Sequence, residues 1–95
     1  MNTIAPQEAI RLASQTAVRY QMSKDATPDT YVDEYMRKIE EVVTHESVDP
    51  RKYLQEIRGA AKLQSVSGNS DELSKRRIEF FVALEIAITR RNESL

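Results

Sequence analysis

The chain has 95 residues, of which 40% are hydrophobic and 31% are charged, and its net charge at pH 7 is −1. This length is typical of one domain, so residues 1–95 are predicted to form a single helical domain. The composition excludes a disordered chain and a membrane-embedded one, and the near-neutral charge excludes a globally basic nucleic-acid binder. The absence of Cys excludes disulfides, thiol nucleophiles and thiolate metal ligands.

Three evenly spaced prolines predict where helices begin. Pro6, Pro28 and Pro50 follow one another at intervals of 22 residues. Proline is favoured at the first helical position, because its missing N–H has no intrahelical partner there. A further step of 22 residues reaches Glu72, which follows the helix-capping residue Asp71. The spacing therefore predicts four helices of similar length.

The first two predicted helices are amphipathic. The first, about 6–22, has one broad apolar face that includes a ridge of small side chains: Ala9, Ile10, Leu12, Ala13, Ala17 and Tyr20. The second, about 28–46, has the clearest apolar face of the chain: Tyr31, Val32, Tyr35, Met36, Ile39, Val42 and Val43. Charged residues occupy the rest of the second helix. Each helix is therefore expected to bury one side only.

The third predicted helix, about 50–63, has an apolar face and a basic outer side. The residues predicted to be buried are Tyr53, Leu54, Ile57, Ala60 and Ala61. Residues 64–70 are rich in Ser, Gly and Asn, which predicts a flexible loop there.

The fourth segment, about 71–91, fits two periodicities. Its apolar residues alternate from Ile78 to Ile88 like those of a buried strand. Its length, and the lack of a second strand candidate in the chain, favour a helix. As a helix it has two apolar stripes. The first comprises Leu73, Phe80, Leu84, Ala87 and Ile88, and the second comprises Ile78, Val82 and Ile86.

These elements predict an all-α fold, a compact bundle of about four helices. A helix that is apolar on two sides is buried on both of them. The fourth helix is therefore either the central helix or part of a dimer interface formed by Ile78, Val82 and Ile86. The function that this predicts is a small protein–protein interaction or regulatory module that acts as a homodimer, with another protein as a further candidate partner.

Catalytic and metal-binding patterns are missing from the sequence. His45 is the only His, and it falls on the polar side of the second helix near its end. No motif places it beside a Ser and an Asp, and the acidic residues of that helix alternate with Arg37 and Lys38. The two glycines, Gly59 and Gly68, do not form a phosphate-binding loop. We therefore expect no enzyme activity, no cofactor and no metal.

Two clusters of basic residues suggest nucleic-acid binding as a second candidate function. Arg51, Arg58 and Lys62 share the outer side of the third helix, away from its apolar face. A second cluster, at the start of the fourth helix, comprises Lys75, Arg76 and Arg77. Such groups contact phosphates in nucleic-acid complexes. The alternative hypothesis is therefore a small DNA-binding regulator.

The expected location follows from the lack of targeting signals. The start of the sequence has no basic segment followed by an apolar run, so no signal peptide is visible. The longest apolar stretch, 80–84, is far too short to cross a bilayer. The default expectation is a cytoplasmic protein without a membrane partner.

Overall fold

A computed structural model of the chain describes residues 5–23, 26–45, 49–66 and 71–94. It contains four α-helices: α1 (Pro6–Met22), α2 (Pro28–His45), α3 (Pro50–Ser65) and α4 (Glu72–Glu93). No strand occurs within the described ranges, so the prediction of an all-α bundle is confirmed and the fourth segment is a helix.

The helix starts lie where prolines and capping residues predict them. Pro6, Pro28 and Pro50 are the first residues of α1, α2 and α3. The carboxylate of Asp49 accepts hydrogen bonds from the backbone N–H groups at positions 51 and 52, at 3.1 and 3.4 Å. Asp71 accepts one from the N–H of residue 74 at 2.8 Å, and this bond lowers the pKa of its carboxyl. These bonds satisfy N–H groups that have no intrahelical partner.

The helix ends differ slightly from the prediction. Gln64 and Ser65, expected in the loop, form the last residues of α3, because neither residue breaks a helix. At the other end of the chain, α4 continues to Glu93 instead of ending near residue 91. The rest of the predicted loop, 67–70, and the predicted end of α2 at Glu46 lie outside the described residues.

The core is apolar and receives side chains from all four helices. Its buried residues are Ala9, Ala13, Ala17, Tyr20, Val32, Tyr35, Ile39, Val42, Val43, Tyr53, Leu54, Ile57, Ala61, Phe80, Phe81, Leu84 and Ile88. Helix α4 contacts each of the other three helices, most extensively α3. Each of the other helices also contacts the remaining three. Because Val82 and Ile86 stay exposed, α4 is not buried on both sides within this bundle, and the alternative of a dimer interface stays a prediction.

Polar contacts join the helices at the edges of this core. The hydroxyl of Tyr35 in α2 donates to the carbonyl of Ala9 in α1 at 2.6 Å. Such close approach is possible because α1 carries alanine at this position. Burial raises the pKa of the Tyr35 phenol. Arg91 of α4 donates to both carboxylate oxygens of Glu40 in α2, at 2.7 and 2.6 Å.

Two residues of α4 correct the predicted stripes. Leu73, assigned to the buried stripe, is 55% exposed, because it lies in the first turn of the helix. Phe81, assigned to neither stripe, is only 2% exposed, and its ring packs edge-on against Phe80 with centroids 5.3 Å apart. The buried face of α4 is therefore wider than predicted, and it begins further along the helix.

None of the described helices is long and apolar enough to cross a membrane.

Candidate functional site

The outward side of α4 carries apolar residues that the bundle does not cover. Val82 is 40% exposed and Ile86 is 47% exposed, and they lie one helical turn apart in the middle of α4. Ile78, one turn before Val82, is half-buried. The buried residues Phe80 and Leu84 point the other way, since each residue turns the helix by about 100°. We call Ile78, Val82 and Ile86 the outer stripe.

Charged residues flank the outer stripe along the same side of α4. Lys75 and Glu79 precede Val82, and Arg90 and Glu93 follow Ile86; all four are exposed. On a helical projection these four residues share an arc about 80° wide with Val82 and Ile86. The outer stripe is therefore a small apolar centre with both signs of charge at each end, the arrangement of an apolar interface core with a polar rim.

Glu79 is held in place by a neighbouring helix. The hydroxyl of Tyr20 in α1 donates to its carboxylate at 3.0 Å. Burial, followed by this hydrogen bond to Glu79, raises the pKa of the Tyr20 phenol. One carboxylate oxygen of Glu79 is thereby fixed, while the side chain as a whole stays exposed.

The basic cluster of α3 is only partly available to a ligand. Arg58, predicted on the outer side, is half-buried, and its Nε donates to the hydroxyl of Thr89 in α4 at 2.9 Å. Its guanidinium also lies 3.6 Å from the carboxylate of Glu85. Arg51 and Lys62 are exposed. The predicted placement of Arg58 away from the packed side is therefore wrong: this residue joins α3 to α4.

The basic cluster at the start of α4 is divided in a similar way. Arg76 is half-buried and donates to the carbonyls of Tyr20 and Ser23, at 3.1 and 2.8 Å, where α1 ends. Its guanidinium also lies over the Tyr20 ring, 4.4 Å from the centroid. Arg77 is half-buried over the ring of Phe81, whereas Lys75 is exposed.

Arg76 has a structural function that the sequence did not predict. The last carbonyls of a helix lack intrahelical donors, and a cation near them is favoured by the helix dipole. Arg76 supplies both the donor and the cation to α1, although it lies more than 50 residues further along the chain. Sequence alone could identify the unpaired carbonyls but not the distant residue that binds them.

Arg51, Lys62 and Lys75 are thus the three exposed members of the two basic clusters. They belong to two helices, and no property of the described residues favours a nucleic acid over solvent as their partner. Binding of DNA by this surface stays a prediction.

Within the described ranges, the other large apolar residues that are exposed lie within about five residues of a helix end. They are Val18 and Met22 in α1, Leu63 and Val66 at the end of α3, and Leu73 at the start of α4. The outer stripe differs from them because it occupies the centre of the longest helix. Fraying ends commonly expose apolar side chains, whereas the middle of a central helix seldom does.

Other predicted features give no alternative site. The space enclosed between α1, α3 and α4, beside Ala13 and Ala61, has a volume of about 30 Å³, which suits a single water rather than a cofactor. Among the described residues there is no group of three or more His, Cys, Asp and Glu that could hold a metal ion. His45 is the last residue of α2, and its side chain lies outside the described part of the structure.

No protein-family model, curated protein or solved structure matches this chain.

Proposed function

We propose that the protein is a non-enzymatic interaction module that associates with a second copy of itself through the outer stripe of α4. The observation that carries this proposal is the exposure of Val82 and Ile86, 40% and 47%, in the middle of the helix around which the other three pack. Removing apolar surface from water is the main driving force of protein association.

The fold itself gives no reason for these two residues to be apolar. The inner side of α4 already contributes Phe80, Phe81, Leu84 and Ile88 to the core. Val and Ile also have lower intrinsic helix propensity than Lys, Glu or Gln, which are preferred on exposed helix surfaces. An apolar pair at this place therefore supports a function outside the monomer, and binding is the simplest one.

The proposed dimer is weak. A stable interface commonly buries about 800 Å² on each partner, and the outer face of one helix about 33 Å long offers less than this. We therefore expect a dissociation constant in the micromolar range, so that the monomer and the dimer exchange as the concentration changes.

The test is the substitution Val82→Lys, with Val18→Lys as the matched control. Both valines are exposed, at 40% and 52%, but Val18 lies on α1, away from the outer stripe. A lysine at position 82 would place an unpaired charge in the centre of the interface, so dimer dissociation is expected to increase more than about tenfold. Val18→Lys is expected to leave it unchanged. Sedimentation equilibrium over a concentration series measures both.

Two results would contradict the proposal. One is a wild-type protein that stays monomeric at concentrations of several hundred micromolar. The other is a dimer whose dissociation constant is the same for Val82→Lys as for the wild type. Circular dichroism of each variant checks that helicity is retained, so that a change in mass is assigned to the interface rather than to unfolding.

A further inference from the structure

We infer that two copies of α4 pack antiparallel across a two-fold axis beside Leu84, with Lys75 of each copy opposite Glu93 of the other. This inference rests on the proposed function, because it describes the geometry of the same interface. It is carried by the order of charges along the exposed arc of α4, independently of the apolar residues.

From Lys75 to Glu93 the exposed residues of this arc form a self-complementary series: Lys75, Glu79, Val82, Ile86, Arg90 and Glu93. Glu72, the first residue of α4, lies on the same arc but would face no residue of α4 in the other copy. The signs therefore run positive, negative, apolar, apolar, positive, negative. When this order is aligned with its own reverse, each positive residue stands opposite a negative one and each apolar residue stands opposite an apolar one.

The spacing agrees with this matching. Val82 and Ile86 lie two residues before and after Leu84, and Lys75 and Glu93 lie nine residues before and after it. Glu79 and Arg90 lie five and six residues away, which is within one residue of symmetry. A second α4 that runs in the opposite direction, with its midpoint at the level of Leu84, therefore places Lys75 of one copy opposite Glu93 of the other at both ends of the pair.

A parallel arrangement would reverse this outcome. With both helices running in the same direction, Lys75 would face Lys75 and Glu93 would face Glu93. Like charges placed opposite each other destabilise a helix pair, and such repulsion commonly determines the orientation of paired helices. The charge order of α4 thus selects the antiparallel dimer.

The outermost pair also restricts the crossing angle. Lys75 and Glu93 each lie about 13 Å along the helix axis from Leu84. If the two helices crossed at about 20°, the ends would diverge by only about 5 Å, which long side chains can span. At about 50° the ends would be about 11 Å apart sideways, too far for the pair to form. A crossing angle of about 20° is therefore the one at which all six residues from Lys75 to Glu93 can contact the other copy.

The charged side chains are available for such contacts. Those of Lys75, Arg90 and Glu93 form no hydrogen bond or ion pair with any other residue that the structure describes. Glu79 is bound through one oxygen to Tyr20 and keeps its second oxygen for Arg90 of another copy.

The dipole of α4 does not favour Lys75 and Glu93 where they stand. Lys75 is the fourth residue of the helix and Glu93 is the last. A helix dipole favours acidic residues near the start and basic residues near the end, which is the opposite arrangement. Oppositely charged residues lie one turn away on α4 itself, Glu72 and Glu79 beside Lys75 and Arg90 beside Glu93, and a second copy would add a further pairing for both charges.

The test is a charge swap. Lys75→Glu and Glu93→Lys are each expected to weaken the dimer about tenfold, because each creates two like-charge pairs across the two-fold axis. The double variant restores opposite charges and is expected to return within about threefold of the wild type. Both single substitutions agree with the helix dipole, but each places like charges one turn apart within α4. Circular dichroism of each variant therefore checks that the monomer keeps its helicity.

The control is Lys38→Glu, which changes the net charge as Lys75→Glu does but lies on the exposed side of α2. It is expected to leave dissociation unchanged. Sedimentation equilibrium at low salt measures all five proteins, since salt screens exposed pairs.

The possible results separate the two proposals. If Val82→Lys dissociates the dimer but the single charge variants do not, the antiparallel arrangement is overturned and the proposed function remains. Tighter association of Lys75→Glu overturns the antiparallel arrangement too, because the variant would then lose no favourable pair with Glu93. A double variant as weak as the single variants also overturns it. A wild type that does not associate overturns both proposals.

Discussion

Helices α2 and α4 lie in the same bundle, but they distribute their apolar residues differently. The buried residues of α2, among them Val32, Tyr35 and Ile39, share one arc, and its remaining surface is charged. Helix α4 buries an equally apolar arc and exposes Val82 and Ile86 on its other side. Burial in the bundle explains the apolar residues of α2 completely. In α4, burial explains only the apolar residues that face the core. The exposed apolar residues on its other side therefore indicate an interaction beyond the monomer.

The largest expected effect separates the two sides of α4. Leu84→Ala should lower the free energy of unfolding by about 2–5 kcal/mol, because Leu84 is fully buried and its truncation leaves a cavity in the core. Val82→Ala should change it by less than about 0.5 kcal/mol when the protein is dilute enough to be monomeric. Denaturant unfolding followed by circular dichroism measures both. Similar losses for the two variants would show that Val82 belongs to the core.

A smaller expected change concerns the buried face of α2 and is measured as the dependence of the free energy of unfolding on pH. Burial raises the pKa of the Tyr35 phenol in the folded protein above its value of about 10 in the unfolded chain. Its contribution to stability is therefore complete below about pH 10 and is lost as the pH rises further, by up to about 1.4 kcal/mol per pH unit. Tyr20 and Tyr53, whose pKa values burial also raises, add to this loss.

Tyr35→Phe isolates the contribution of this one residue. The variant should lose about 1 kcal/mol at pH 7, where the bond to the Ala9 carbonyl is missing, but decline less steeply than the wild type toward about pH 11. Unfolding free energies across this range measure the two slopes. Equal slopes would show that Tyr35 ionises in the folded protein as readily as in the unfolded chain.

The smallest expected change in the free energy of unfolding concerns Arg58 of α3, which contacts α4 between its buried side and its exposed side. Arg58→Ala should lower the free energy of unfolding by about 1 kcal/mol, because it removes the contacts with Thr89 and Glu85. Lys62→Ala, one turn further along α3 and exposed, should change it by less than about 0.5 kcal/mol. Chemical denaturation compares them. An Arg58 variant as stable as the wild type would leave that residue available as a ligand for phosphate.

The sequence predicted the helices well, because their signals are local. Pro50 and Asp49 act together at the start of α3, where proline needs no hydrogen-bond donor and the carboxylate binds the next two free N–H groups. The inner and outer sides of α4 also followed from its periodicity. The ends of the helices were less certain, since Gln64 and Ser65 are compatible with both a helix and a loop.

The wrong predictions for individual side chains have a common cause. A helical projection describes one helix alone and does not show which neighbouring helices contact it. It placed Leu73 on the buried side by angle, but it could not show that this side chain stays 55% exposed at the start of the helix. It also placed Arg58 on the outer side of its helix and gave Arg76 no partner, whereas both side chains reach across to an adjacent helix. Long cationic side chains span several ångströms of apolar surface, so their final contacts depend on packing that local spacing does not contain.

The late position of α4 in the chain has a consequence for folding. Arg76 binds the end of α1, Glu79 binds Tyr20, and Arg91 binds Glu40, so its contacts join residues more than 50 positions apart. A ribosome needs on the order of one to four seconds to add the 22 residues of α4. During that time the first three helices have no central helix to pack against, and the faces of Leu54 and Ile57 that it covers stay open to water and to chaperones. Complete packing of this bundle is therefore expected to begin only after α4 has been synthesised.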